Sequence, residues 1–420
     1  MLRVIFVTGS LPHGGAERQS IAVMNRLAER GHECHAVYVR NDPRQLDRIR
    51  LREGGSVRCL NATRYLDMHA LAGFAAHISR IKPSAIVAAN PYALMYSSLA
   101  LRLSRVRAPL VVTFHTTRLF GAKEHAKMII DRLFFWGANR LVFVCEKQKR
   151  YWLRRGVLSR KNEVIYNGVD TEHFSHTSGS EERRELRRGL GYSDADYVIG
   201  ISAVLRPEKN HVQLVDAVAA LRSMGIPARV LMIGDGPMRG AVEVRGHELK
   251  VDADVRITGF QQEIRPYISV CDVMVLCSLA VETFSLAALE AMAMGKPVVH
   301  SDLGGASEMI FPGRNGFLFP VGDTRALVGK LAILADRAVS REMGREARHL
   351  VETLFSEKTM VDRYERMLMD LCGTPSSPEE ALTCSMRDQR HQNATGREPG
   401  VGEGLRACDG PSGPLRPQQR

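Results

Sequence analysis

Residues 278–300 read SLAVETFSLAALEAMAMGKPVVH, and this stretch decides the fold. The apolar run Val273–Cys277 before it has the length and composition of a buried strand. Glu282 follows in a loop. A helix is predicted from near Phe284 to Gly295, and Pro297-Val298-Val299 opens a further strand. Strand, loop, helix and strand make the βαβ unit of a parallel sheet. In such sheets ligands gather at the carboxyl ends of the strands, where Glu282 stands. Glu290 interrupts Ala287-Ala288-Leu289 and Ala291-Met292-Ala293. A carboxylate among apolar residues is costly to bury without a partner. It reads either as an acid of the first helical turn, favoured by the helix dipole, or as a group that grips a ligand.

Outward from this unit the same alternation recurs. Toward the N-terminus, strands are predicted at Val4–Thr8, His35–Val39, Ala85–Ala89, Leu110–Phe114, Leu141–Cys145 and Glu163–Tyr166, with a helix at Ala16–Arg30. Ser175–Gly191 is polar and charged, a linker with a connecting helix. A second series follows: strands at Tyr197–Ala203, Ala228–Ile233, Val255–Thr258, Val273–Cys277 and Val298–Ser301, with a helix at His211–Met224. The expected class is α/β, with two doubly wound, Rossmann-like domains facing a cleft. The domains are placed at 1–185, linker included, and 186–355. A closing helix spans 356–372, and a Pro/Gly/Ser-rich tail, 373–420, is expected to be disordered.

Composition narrows the class. The 420 residues are 45% hydrophobic, ordinary for a globular protein with ample core. The apolar N-terminus is too short for an export signal and reads as a first strand. Asn90-Pro91 splits the one long uncharged stretch, which argues against a membrane span. Eight cysteines show no C-x-x-C pair and no zinc spacing, so free thiols in a cytoplasmic setting are expected. The net charge of +12 is uneven: Leu110–Ile165 holds twelve Lys/Arg against four Asp/Glu. Phe134, Phe135, Trp136, Tyr151 and Trp152 interleave with those cations. This reads either as a basic amphipathic surface for anionic lipid or as a solvated face on packed helices. No nucleic-acid module is recognisable.

Smaller motifs sit at predicted strand ends. They are Gly14-Gly15-Ala16-Glu17, His115 after Leu110–Phe114, Asn167-Gly168-Val169-Asp170, Arg206-Pro207-Glu208-Lys209, Gly234-Asp235-Gly236-Pro237, Gly259-Phe260 and Gly304-Gly305-Ala306-Ser307-Glu308. Two glycines at a helix start let backbone N–H groups approach an anion. Arg206 and Lys209 bracket a proline turn and can face one phosphate-bearing group. The pairs Asp194/Asp196 and Asp252/Asp254 have the D-x-D form that elsewhere holds a divalent cation. Here they read as loop residues.

Together, E-x7-E at Glu282 and Glu290, the GKPVV that follows, and these loops closely resemble family 4 glycosyltransferases of the GT-B fold, over roughly residues 1–370. The resemblance implies a nucleotide-sugar donor. Lys209 and Arg206 would meet its diphosphate, and Glu282 and His115 the sugar. Glu290 would meet the ribose, and Gly14, Gly15, Gly234, Gly259, Phe260, Thr283, Phe284 and Ser285 would line the donor site. Many members carry the arginine five positions before the lysine, where this chain has Val204. The resemblance further implies retention of anomeric configuration, no metal and no cofactor, and a glycan or lipid-linked acceptor. A GT-B epimerase or phosphorylase is the rival enzyme reading. A non-catalytic basic protein for membrane or nucleic acid is the rival outside enzymes.

Overall fold

The first strand, β1 (Arg3–Thr8), shows how the first sheet is built. Successive side chains of a strand point to opposite faces. Ile5 and Val7 enter one apolar cluster, Val4 and Phe6 another, and none of the four is more than 3% exposed. A strand buried on both faces belongs in a parallel sheet covered by helices on each side. The computed structural model has this architecture and describes residues 1–12, 14–117, 119, 121–175 and 180–373. Beyond Gly373, the tail expected to be disordered lies outside the described residues.

Met1–Gly373 forms one compact unit. Its first sheet adds β2 (Glu33–Tyr38), β3 (Ser56–Cys59), β4 (Ala85–Ala89), β5 (Leu110–Phe114), β6 (Arg140–Phe143) and β7 (Lys161–Val164). The strand order is β3-β2-β1-β4-β5-β6-β7, and all neighbours are parallel. The second sheet holds β8 (Tyr197–Ser202), β9 (Ala228–Ile233), β10 (Val255–Ile257), β11 (Val273–Leu276), β12 (Val298–Ser301) and β13 (Gly316–Phe319). Its order, β10-β9-β8-β11-β12-β13, is again all parallel. Each sheet reverses direction beside its own first strand, the doubly wound pattern whose ligand crevice lies at that switch point.

The chain passes between the lobes twice, and the two passages touch. Val169 donates its N–H to the Phe355 carbonyl at 3.0 Å, and Glu357 donates to the Val169 carbonyl at 2.8 Å. The helix Glu357–Leu371 then returns to the first lobe. There Met360, Val361, Tyr364, Met367 and Leu368 pack with Leu2, Val4, Phe6 and Met24. Arg26 of the helix Gly15–Glu29 fastens it by pairing with both Asp170 and Glu357.

The aromatic stretch divides between core and surface. Phe135 and Trp152 are core residues, with ring centroids 5.2 and 5.0 Å from that of Phe114. The helix Ala122–Gly137 instead presents Ile129, Ile130 and Leu133, each 62% exposed, and Trp136, 50% exposed. Positions i, i+1, i+4 and i+7 share one helical face, so helical geometry, not the run of aromatics, sets what this surface shows. Among the described residues, no helix is long and apolar enough to cross a membrane.

Candidate functional site

A cavity of about 350 Å³ opens where the carboxyl ends of strands from both sheets meet. His115 follows β5, Asn167 follows β7, Ser202 ends β8 with Ala203 and Val204 after it, and Cys277–Ser278 follow β11, and all line it. Two helices begin at its wall. The helix Gly15–Glu29 has Gly14 as an N-cap without a side-chain cap, and of its first-turn N–H groups that of Glu17 is met by the Glu17 carboxylate. The helix Leu286–Ala293 comes from the other lobe, with Ser285 as cap through the Ala288 N–H. This cap explains why the helix begins at Leu286, two residues later than predicted. Two positive helix ends aimed at one space form an anion site before any side chain is counted.

Side chains add to that field. Lys209 leaves a short turn, Pro207–Lys209, and its Nζ lies 2.6 Å from Glu282 Oε2, which also accepts a 2.9 Å hydrogen bond from Ser278. Burial alone would raise the Glu282 carboxyl. The charges of Lys209 and His300, with the hydrogen bonds from Lys209 and Ser278, outweigh it and hold Glu282 below the ordinary carboxylate value. The backbone of Glu282 is pressed by Gly304 (φ +57°), where a Cβ would meet the Glu282 carbonyl at 1.8 Å. Only glycine allows that approach. Burial pushes the His115 imidazole down to about 4, so it is neutral at pH 7. The Thr283 hydroxyl lies 2.8 Å from the His115 carbonyl and 2.5 Å from the Thr117 hydroxyl, linking the lobes.

Gly15, His115, Arg206, Lys209, Glu282, Thr283, Phe284 and Ser285 line this cavity together. Gly14, Gly234, Gly259, Phe260 and Glu290 lie outside its lining. Gly234 has a packing role, since a Cβ there would meet the Ala203 carbonyl at 2.2 Å, behind the Arg206–Lys209 turn. Glu290 is 2% exposed and pairs with Arg18 of the opposite lobe. Arg18 also lines the cavity, yet the sequence reading stopped at Glu17. Its significance comes from a contact 272 positions away. Glu308, at the end of the glycine loop read as near a ligand, instead caps the helix Glu146–Leu153. Its carboxylate accepts from the Glu146 and Lys147 N–H groups at 2.8 and 2.7 Å and from the Tyr166 hydroxyl at 3.0 Å. Of the D-x-D pairs, Asp196 faces Arg229, and Asp254 faces Arg222 and Arg229.

The family described as Glycosyltransferase Family 4 matches residues 13–173, and that described as Glycosyl transferases group 1 matches residues 196–337. The chain belongs to the group 1, family 4-type glycosyltransferases. It is similar to the N-acetyl-alpha-D-glucosaminyl L-malate synthase of Bacillus anthracis, 28% identical over 210 residues, covering 50% of this chain and 54% of that protein. It is also similar to the UDP-Gal:alpha-D-GlcNAc-diphosphoundecaprenol alpha-1,3-galactosyltransferase of Escherichia coli, 25% identical over 284 residues, covering 65% and 72%. The chain spans about half the length of several curated relatives it matches. The crystal structure of HepE from Anabaena in complex with UDP superposes with a TM-score of 0.77 at 21% identity, over 88% of this chain and 100% of that one. That likeness defines the fold as GT-B: two Rossmann-like lobes with the cavity between them.

Proposed function

We propose that this chain is a retaining, metal-independent glycosyltransferase that uses a UDP- or GDP-sugar and extends a glycan or lipid-linked acceptor in surface polysaccharide synthesis. One observation carries the reading: two helix N-termini from opposite lobes, with Lys209 and Arg206 between them, converge on a single cavity. Such a field suits a diphosphate, and it is strongest where charge builds as that group departs. Glu282 is positioned to accept from sugar hydroxyls, and Glu290 to meet the ribose diol once Arg18 releases it. In the proposed reaction the acceptor oxygen bonds to the anomeric carbon on the face from which the phosphate oxygen leaves. The acceptor proton passes to that departing oxygen, and the cations hold the charge that develops there.

Relatives support the donor class, since HepE was crystallised with UDP and the Escherichia coli relative is named for a UDP-sugar. Thermal denaturation against a panel of UDP-, GDP- and ADP-sugars tests it. Saturating cognate donor at 100 times its Kd should add about 2.7 kcal/mol of stability. Stabilisation by none of the panel would remove the reading. Turnover is expected to persist in EDTA, and loss of activity that manganese or magnesium restores would refute metal independence.

The exposed apolar stripe on the helix Ala122–Gly137 favours an anionic membrane as the acceptor's setting. Trp136 reaches the Gly156 carbonyl at 3.1 Å, which places the stripe beside exposed Arg154 and Arg155. On anionic vesicles each such basic residue contributes about 1 kcal/mol. Replacing Lys149, Arg150, Arg154 and Arg155 by Gln should release the protein from phosphatidylglycerol vesicles and spare turnover on a short soluble acceptor. Vesicle binding that survives the four changes would reduce the stripe to an ordinary surface.

A further inference from the structure

A second cavity, about 700 Å³ against 350 Å³ for the cleft, shares none of the cleft's lining. It lies between the helices Ser180–Gly189 and Arg337–Leu354, over a floor of Cys271-Asp272 and Gly295-Lys296. Eight Arg/Lys side chains line it against three acids, Asp194, Asp272 and Glu352. Arg337, Arg341, Arg345 and Arg348 recur at three- and four-residue steps, which stacks them on one face of their helix. Like charges at that spacing repel, and Arg183, Arg184 and Arg187 face them from the other helix.

Part of this cluster is framework. Asp272 accepts from Arg183 and Arg187 at 3.4 Å each, and Arg187 also donates to the Val270 and Asp196 carbonyls at 2.8 Å. Lys296 donates to the Ser269 and Cys271 carbonyls at 2.8 and 2.6 Å, which leaves one of its three protons. Arg348 donates to the Thr171, Phe174 and Ala293 carbonyls.

Arg337 donates to the Asp194 carbonyl. The other cations keep unused donors. The Nε atoms of Arg183 and Arg187 are buried with no hydrogen-bond partner among the described residues. Arg184 and Arg345 reach only a glutamate on their own helices. Arg341 makes no ion pair or hydrogen bond among the described residues. Burial, and after it the charge of Arg183, pushes the Lys296 ammonium down to about 8.

We propose that this cavity binds a ligand bearing two or more phosphate-class groups, at a site separate from the cleft. Guanidinium forks match phosphate oxygens two at a time, and the cations left over exceed what one anion needs. The volume suits a metabolite-sized molecule or a lipid headgroup. Occupancy bears on the cleft as well. Lys296 lies three positions past the helix Leu286–Ala293, and Arg348 holds that helix's last carbonyl. The ligand therefore sits at the far end of the helix that carries Glu290.

Calorimetric titration of the full chain with inorganic tripolyphosphate tests the site. A Lys209→Ala background weakens any competing binding in the cleft. Binding should persist in that background and fall at least about tenfold when Arg341→Gln and Arg345→Gln are added, as expected for losing charged hydrogen bonds. Both arginines are exposed, so the melting temperature should stay within a degree or so of the parent. Arg341→Gln alone serves if the pair unfolds. Vesicles containing cardiolipin, whose headgroup carries two phosphates, form the second arm. Vesicle capture that falls with the same arginine pair assigns the phosphates to lipid, whereas loss of tripolyphosphate binding alone assigns them to a soluble ligand. The proposal is overturned if tripolyphosphate does not bind, if its affinity ignores the arginine pair, or if Lys209→Ala alone abolishes it. Stabilisation by nucleotide sugar, measured on the arginine pair, reports on the cleft separately.

Discussion

Lys209→Ala is expected to lower sugar transfer about 100-fold or more, the usual loss when one preorganised charge-stabilising group is removed. The Lys209 Nζ is fixed 2.6 Å from the Glu282 carboxylate in the wall of the cleft. Arg206 is 58% exposed and leans toward Glu208 at 3.9 Å. Stability should respond in a distinctive way. The side chain of Lys209 is 26% exposed and that of Glu282 only 11%. The mutation therefore strands a nearly buried carboxylate, and the melting temperature should fall by a few degrees at pH 7. In the parent, the folded Glu282 pKa is lowered. Its contribution is present above the unfolded value of about 4.3 and disappears as pH falls through the folded one. In the variant, burial is opposed only by His300 and the Ser278 hydrogen bond, so that pKa rises and the penalty is largest at neutral pH. The gap between the two melting curves should narrow from pH 7 to pH 4. A gap that widens with acid, or turnover near normal, would contradict the assigned pairing.

The Arg18–Glu290 pair yields the second large effect, through an asymmetry. Side-chain exposure is 36% for Arg18 and 3% for Glu290. Arg18→Ala leaves a buried carboxylate without its partner and should cost about 3 kcal/mol. Glu290→Gln leaves an arginine whose side chain is about a third exposed and that water can reach, at a cost of about 1 kcal/mol. The double variant should recover part of the Arg18→Ala loss. Nucleotide affinity should order the variants the other way. Glu290→Gln removes the acceptor for the ribose diol and weakens binding about tenfold, while Arg18→Ala removes its competitor and does not weaken it. Denaturant midpoints and nucleotide titrations read both orders, and equal costs for the two single variants would show that the pair is not a buried contact.

Much of this architecture is legible in the sequence because period and punctuation are local. Ala85–Ala89, Leu110–Phe114, Ala228–Ile233 and Val298–Ser301 are strands at the predicted bounds, each a short apolar run between turn residues. β3 and β13 escaped notice: both are edge strands of four residues, and the exposed middle of Ser56–Cys59 leaves little apolar signal. The Glu282–Ser285 loop and Lys209 were readable as motifs. Arg18 was not, since a single arginine in a polar helical turn has meaning only once the other lobe closes on it. The same holds for Arg183 and Arg187, whose stretch reads as a charged connector until Arg337–Leu354 lies opposite.

The double passage between the lobes bears on how the protein is made. Helix Glu357–Leu371 supplies Met360, Val361, Tyr364, Met367 and Leu368 to a core whose other members lie between Leu2 and Ile165. A ribosome delivers the first lobe's seven strands early, but one apolar face has only part of its cover, from the helix Gly15–Glu29, until the final described helix emerges. The lobe synthesised first is thus completed last, after the whole of the second. No single cut between Val169 and Phe355 yields two finished halves, because the first half always lacks its own last helix.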